Sequence, residues 1–135
     1  MLAVALVFGM AAAGCRSEDP ALNGTWATEW GMETRFDNGS FEVLVNGDPY
    51  VRGTYTARDG AIAMTITHLH EDGQWLDRAM IRAMYGSAEL LDDTFATAVD
   101  SMLDAMFLPQ MGTYSVTNET LTLTIDGETE VLARR

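Results

Sequence analysis

From position 22 onward, apolar and polar residues alternate over most of the chain, and residues suited to tight turns interrupt the alternation at short intervals. The interruptions are Asn38-Gly39, Asn46-Gly47-Asp48-Pro49, Asp59-Gly60, Asn118-Glu119 and Asp126-Gly127. Asn, Asp and Gly tolerate the positive φ that connections between twisted antiparallel strands require, so each marks a hairpin. The segments between them predict eight strands: Gly24–Trp30, Met32–Asp37, Ser40–Asn46, Tyr50–Ala57, Ala61–His70, Met111–Thr117, Thr120–Asp126 and Glu128–Arg134. The clearest is the seventh, where Leu121, Leu123 and Ile125 alternate with Thr120, Thr122 and Thr124, giving one core face and one wet face.

Two stretches echo each other at a fixed offset. Gly53-Thr54-Tyr55 leading into Ala61–Ile66 matches Gly112-Thr113-Tyr114 leading into Thr120–Ile125. Two copies are too few for a solenoid and fit a meander that reuses one hairpin. A meander of this length removes its exposed edges best by closing on itself, which predicts a mostly β, antiparallel up-and-down barrel.

Between the fifth and sixth strands the period becomes helical. From Gln74 to Gln110, one stripe carries Leu76, Met80, Ile81 and Met84, and a longer one carries Leu91, Phe95, Met102 and Met106, with Gly86-Ser87 as the break. The expectation is a helical hairpin with its apolar faces buried against the barrel. Asp92, Asp93, Asp100 and Asp104 fall mostly on the other side and read as a solvated face.

Composition narrows the function classes. The chain has 135 residues, room for one domain, and a formal charge of -12; its basic residues are all Arg. So acidic a chain is a poor match for nucleic acid, where Lys and Arg neutralise phosphates, and suits a soluble exterior or a cationic partner. A 47% share of hydrophobic residues together with regular patterning argues for order over disorder.

The first residues stand apart from this pattern. Leu2 to Ala13 is an uncharged apolar run, too short for a stable bilayer span and suited to the core of a signal peptide over residues 1–14. It ends in Ala12-Ala13-Gly14-Cys15, which resembles the lipobox of exported bacterial lipoproteins. That resemblance implies cleavage before Cys15, a diacylglyceryl lipid on its thiol, and attachment to an envelope membrane. Cys15 is the sole cysteine, so an exported domain has no internal disulfide partner for it. One fatty chain anchors weakly, and a diacylglyceryl group with an added amide-linked chain anchors stably. Residues 15–20 then form the lipidated Cys and a polar tether, and 21–135 the β domain with its insertion at about 74–110.

Leu22-Asn23-Gly24-Thr25-Trp26 resembles the G-x-W opening of lipocalins and of lipocalin-like bacterial lipoproteins. The resemblance covers the strands from about 22 to 70 and 111 to 135. It implies a calycin-type barrel whose base is plugged by Trp26 and covered by an Arg of the last strand, Arg134 or Arg135. It also implies a small apolar or amphipathic ligand in the barrel. The insertion departs from the tight turns usual at that place, leaving strand order open.

Catalytic signatures are absent: there is no G-x-S-x-G and no phosphate-cradling glycine loop, so the expectation is a non-catalytic protein. Helices capping the barrel mouth would cover an apolar pocket lined by Tyr55, Trp75, Met80, Met84, Met102, Met106 and Tyr114, the flexible thioethers adapting to varied ligands. An envelope interaction or structural protein without a ligand is the alternative. A third reading is metal binding. His68 and His70 sit two apart on the fifth strand, expected on the side of Ile62, Met64 and Ile66, with Glu71 and Asp72 next, a beginning for zinc or copper ligation. Met80/Met84 and Met102/Met106 are spaced to offer thioethers to Cu(I).

Overall fold

The computed structural model describes residues 18–85 and 92–135. The leader, Cys15 and the expected helix break at Gly86-Ser87 lie outside the described residues. After a 3-10 turn at Pro20–Leu22, the strands are β1 (Gly24–Ala27), β2 (Met32–Asp37), β3 (Ser40–Val45), β4 (Asp48–Arg58), β5 (Ala61–Glu71) and β6 (Gln74–Leu76). Helices α1 (Arg78–Met84) and α2 (Asp93–Phe107) follow, then β7 (Gln110–Val116), β8 (Thr120–Ile125) and β9 (Glu128–Arg134). All pairings are antiparallel, in the order β4-β3-β2-β1-β9-β8-β7-β5-β6, and a β4–β5 pairing closes the ring. The result is an eight-stranded up-and-down barrel with β6 as an added strand on the outer stretch of β5. The insertion leaves the strand order sequential, since β7 returns to pair with β5.

The turns form for the reason their composition gives. Asn38-Gly39, Asn46-Gly47, Asp59-Gly60 and Asp126-Gly127 each have positive φ at both residues. At Asn118-Glu119 the device differs: the Thr117 hydroxyl accepts from the amides of Glu119 (3.3 Å) and Thr120 (3.0 Å). A further turn of the Asx-Gly kind, Asp72-Gly73, also has positive φ at both residues and sends the chain back as β6. The expected helical start at Gln74 is therefore corrected: Gln74–Leu76 is strand, paired through Leu69–Leu76, His70–Trp75 and Glu71–Gln74. The first strand ends at Ala27, short of the expected Trp30, because Thr28 folds back and its amide bonds the Met32 carbonyl at 2.8 Å.

The core lies inside the barrel and gathers Leu22, Trp26, Phe36, Phe41, Val51, Tyr55, Ala57, Ile62, Tyr114, Leu121 and Leu132. The repeated Gly-Thr-Tyr has one physical explanation in both copies. A Cβ at Gly53 would meet the Thr65 carbonyl, and one at Gly112 the Thr124 carbonyl, so glycine lets neighbouring strands cross closely at both points. Two residues on, the amides of Tyr55 and Tyr114 bond the carbonyls of Gly39 and Gly60, each at 2.9 Å, docking the strand onto the turn of the adjacent hairpin.

The helices build a second, smaller core from Leu76, Ile81, Val99 and Leu103, against which Leu69 and Phe107 pack. The buried stripe of α2 is thus Val99 and Leu103, while Phe95 and Met102 lie exposed on its shoulders. Asp77 and Asp92 cap α1 and α2, accepting from the amides of Met80 (2.9 Å) and Phe95 (2.8 Å). Asp100 and Asp104 face solvent, as their spacing suggested, but they also tie the two helices together, through Arg82 at 3.0 Å and Arg78 at 2.7 Å.

Candidate functional site

The closed end of the barrel is a knot of short contacts around Trp26. The indole is fully buried and its Nε1 donates to the Leu22 carbonyl at 2.8 Å, so the 3-10 turn that precedes β1 seals the base. Arg134 lies over the ring, its guanidinium carbon 4.1 Å from the centroid. Its three nitrogens donate to the carbonyls of Asn118 (2.8 Å), Asn23 (3.1 Å) and Ala21 (3.2 Å). Arg135 points elsewhere and pairs with Glu33 at 2.6 Å. Asp19 joins the same end: its Oδ1 accepts from the Ala21 amide and its Oδ2 from the Tyr114 hydroxyl, both at 2.9 Å. Burial, the bond to Asp19 and the Asp19 charge together push the Tyr114 hydroxyl up to about 12. Nothing in the sequence marks Asp19 for this role, because a polar residue before a proline reads as tether.

The residues expected to line one pocket are divided among four places. Tyr55 and Tyr114 are buried within the barrel core, Tyr55 edge-on to Phe36 with ring centroids 4.8 Å apart. Burial pushes the Tyr55 hydroxyl up; the Gly39 backbone opposes it, and the charges of Glu18, Asp37 and Asp19 add to the rise. Trp75 sits on the outside of the sheet. Met80 is 43% exposed and faces solvent.

Met84, Met102 and Met106 do converge. With Leu69, Leu76, Ile81 and Tyr85 they line an apolar groove of about 370 Å3 between the helices and the β5–β6 ribbon, with Glu71 at its margin. The Tyr85 hydroxyl is 4.0 Å from the Met102 sulfur. Of the two methionine pairs expected from sequence, Met102 and Met106 both line the groove, whereas Met84 lines it without Met80. The groove lies beside the β5–β6 ribbon, outside the main barrel core. Leu69, its link to that core, escaped the sequence reading because it lies between two histidines taken as core-facing.

That assignment of faces is corrected by a bulge. Opposite Arg52 and Gly53, β5 steps from His68 to Ile66, leaving Thr67 as an extra residue that reverses the alternation beyond it. Leu69 consequently packs against both cores, and His68 and His70 lie on the opposite side from it. There, His70 is edge-on to Trp75 (centroids 4.8 Å apart), Arg52 covers Trp75 at 4.4 Å, and the His68 Nδ1 is 2.9 Å from the Thr67 hydroxyl. Among the described residues no group of three or more His, Cys, Asp or Glu side chains is placed to hold a metal.

No family model and no curated protein matches the sequence. Two solved structures are similar in shape. An uncharacterized protein from Bacteroides eggerthii has a TM-score of 0.53 at 16% identity, over 84% of this chain and 99% of that one. A lipocalin-like protein from Bacteroides uniformis has a TM-score of 0.51 at 13% identity, over 85% of this chain and 99% of that one. At such identities the likeness speaks to fold alone. Together with sequential closure of eight strands and the buried Trp26 beneath Arg134, it shows that this chain folds as a lipocalin-like β-barrel.

Proposed function

We propose that this chain is an exported, non-catalytic lipoprotein, anchored by lipid at Cys15, that binds a small apolar or amphipathic molecule. A lipocalin-like barrel is a framework for binding, and the groove between the helices and the β5–β6 ribbon is the place the geometry favours. The observation that carries this reading is the convergence of Met84, Met102 and Met106 with Tyr85 on one groove of about 370 Å3. That volume falls within the range of roughly 300–1,000 Å3 usual for small-ligand sites, and its thioethers adapt to ligand shape without polar anchors. Glu71 and the Tyr85 hydroxyl at its edge suit the polar end of an amphipathic molecule. The barrel proper is less suited, since Trp26, Tyr55 and Tyr114 occupy its interior with other core side chains.

Anchoring rests on the lipobox-like Ala12-Ala13-Gly14-Cys15, which precedes the 3-10 turn at Pro20–Leu22 by only a few residues. The test is native mass spectrometry of the protein extracted in mild detergent from membranes of its own host. The expected species begins at an acylated Cys15 and carries a non-covalent small molecule. A mature mass without acyl chains overturns the anchor; a bare protein that also takes up no neutral apolar dye overturns the ligand site.

A further inference from the structure

The barrel closes unevenly. β1 and β9 pair only through Trp26–Arg134 and Ala27–Ala133, because the chain turns away from the sheet at Thr28. Beyond that point β9 continues with β8 on one side and, among the described residues, no strand on the other. Two hydrogen bonds fix which of its backbone groups are left over. The Arg134 amide donates toward β8, to the Glu119 carbonyl at 3.0 Å, and the Arg135 amide toward β1, to the Thr25 carbonyl at 2.8 Å. Backbone polar groups alternate sides along an antiparallel strand. Stepping back by twos from Arg135, the amides and carbonyls of Val131 and Thr129 face the gap, and no described residue bonds them.

An unpaired stretch of this kind is a template for another strand. The gap measures about 440 Å3 and is rimmed by Thr28, Glu29, Trp30, Glu130 and Val131. Trp30 and Val131 are 59% and 61% exposed, so an incoming strand finds apolar surface beside the free backbone. Among the described residues the charge lining the gap has one sign: Glu29 and Glu130 line it, and Glu128 begins the strand. The nearby cations are engaged, Arg134 with three carbonyls and Arg135 with Glu33. A second copy adding edge to edge would set its own Glu128 and Glu130 against these carboxylates. A Lys- or Arg-bearing segment would instead meet complementary charge and the face of Trp30.

We infer that the β9 edge takes up an extended cationic peptide segment as an added strand. This surface is separate from the methionine groove, so the inference stands or falls independently of the proposed ligand. The probe is a blocked peptide alternating Arg and Val, titrated into the 15N-labelled domain and into variants, with an alternating Glu–Val peptide and an Arg–Val peptide N-methylated on alternate residues for comparison. The expected result is amide shifts centred on Thr129, Val131 and Trp30, and no binding of the Glu–Val peptide. Glu29→Gln with Glu130→Gln should weaken binding about tenfold. Val131→Pro should abolish it, because the amide removed is one the β8 pairing does not use. Should that variant fail to fold, failure of the N-methylated peptide to bind the unaltered protein supports the same conclusion. Equal binding of the N-methylated peptide, shifts scattered over the acidic surface, or no binding of the Arg–Val peptide would each overturn the inference.

Discussion

The guanidinium of Arg134 lies 4.1 Å from the centre of the Trp26 indole while its nitrogens bond three backbone carbonyls. One side chain thereby ties the last strand to the first strand, to the 3-10 turn before it, and to the β7–β8 turn. Because β1 and β9 share only two residue pairs, this contact is much of what closes the barrel at its base. Arg134→Ala should cost about 1–3 kcal/mol, the combined scale of a cation–π contact and charge-assisted hydrogen bonds. Arg134→Lys should recover only part of it, since an ammonium cannot fork to three acceptors. Urea unfolding followed by tryptophan fluorescence measures both. A loss below about 0.5 kcal/mol, the range of an ordinary surface substitution, would mean that closure rests elsewhere.

Tyr114 makes stability depend on alkaline pH. Its hydroxyl rises from an ordinary value of 10.0 to about 12 in the folded protein. A group raised in the folded state holds its proton more tightly there, so its contribution is whole below about 10 and lost as pH climbs to about 12. Tyr55 shifts in the same direction. Unfolding free energy should therefore fall across that window, and Tyr114→Phe should flatten the fall while leaving the part due to Tyr55. Denaturant titrations at a series of alkaline pH values provide the measurement. An unchanged slope in Tyr114→Phe would contradict the upward shift that burial and the Asp19 contact produce.

The two tyrosines of the repeated Gly-Thr-Tyr differ at one atom. Tyr114 donates to Asp19, whereas the buried Tyr55 hydroxyl makes no well-formed hydrogen bond to any described residue and has only the Gly39 backbone beside it. Removing an unsatisfied buried hydroxyl while keeping the ring should be neutral or stabilising by up to about 1 kcal/mol, and removing the paired one at neutral pH should cost about 1 kcal/mol. Tyr55→Phe and Tyr114→Phe should thus move the urea midpoint in opposite directions, or the first not at all. Equal losses in both would show that the Tyr55 hydroxyl is satisfied in solution.

Much of the barrel was legible because its signals are local. Alternation in Thr120–Ile125, the Asx-Gly turns and Gly24-Thr25-Trp26 each act over a few residues, and each led to its element. What escaped depends on neighbours distant in sequence. The bulge at Thr67 shifts register against Arg52, and no pattern within β5 announces it, so His68 and His70 were placed on the wrong face. Gln74-Trp75-Leu76 is too short to show a period of two, so β6 carries no strand signal of its own, although Asp72-Gly73 before it is the same turn signal found at the other hairpins. Helical spacing brought Met84, Met102 and Met106 forward as candidates. It did not show that Met80 faces water, which depends on how α1 rests against β6 and α2.

The central claim is that a small apolar molecule enters the groove formed by Met84, Met102 and Met106. Carbon-13 methyl spectra of methionine-labelled protein, recorded while a neutral apolar dye is added, test it most directly. Shifts should concentrate on Met84, Met102 and Met106, with Met80 little changed and Met32 and Met64, which pack against the barrel core, unmoved. Shifts at Met32 and Met64 with the groove methyls silent would place the ligand in the barrel and contradict the account.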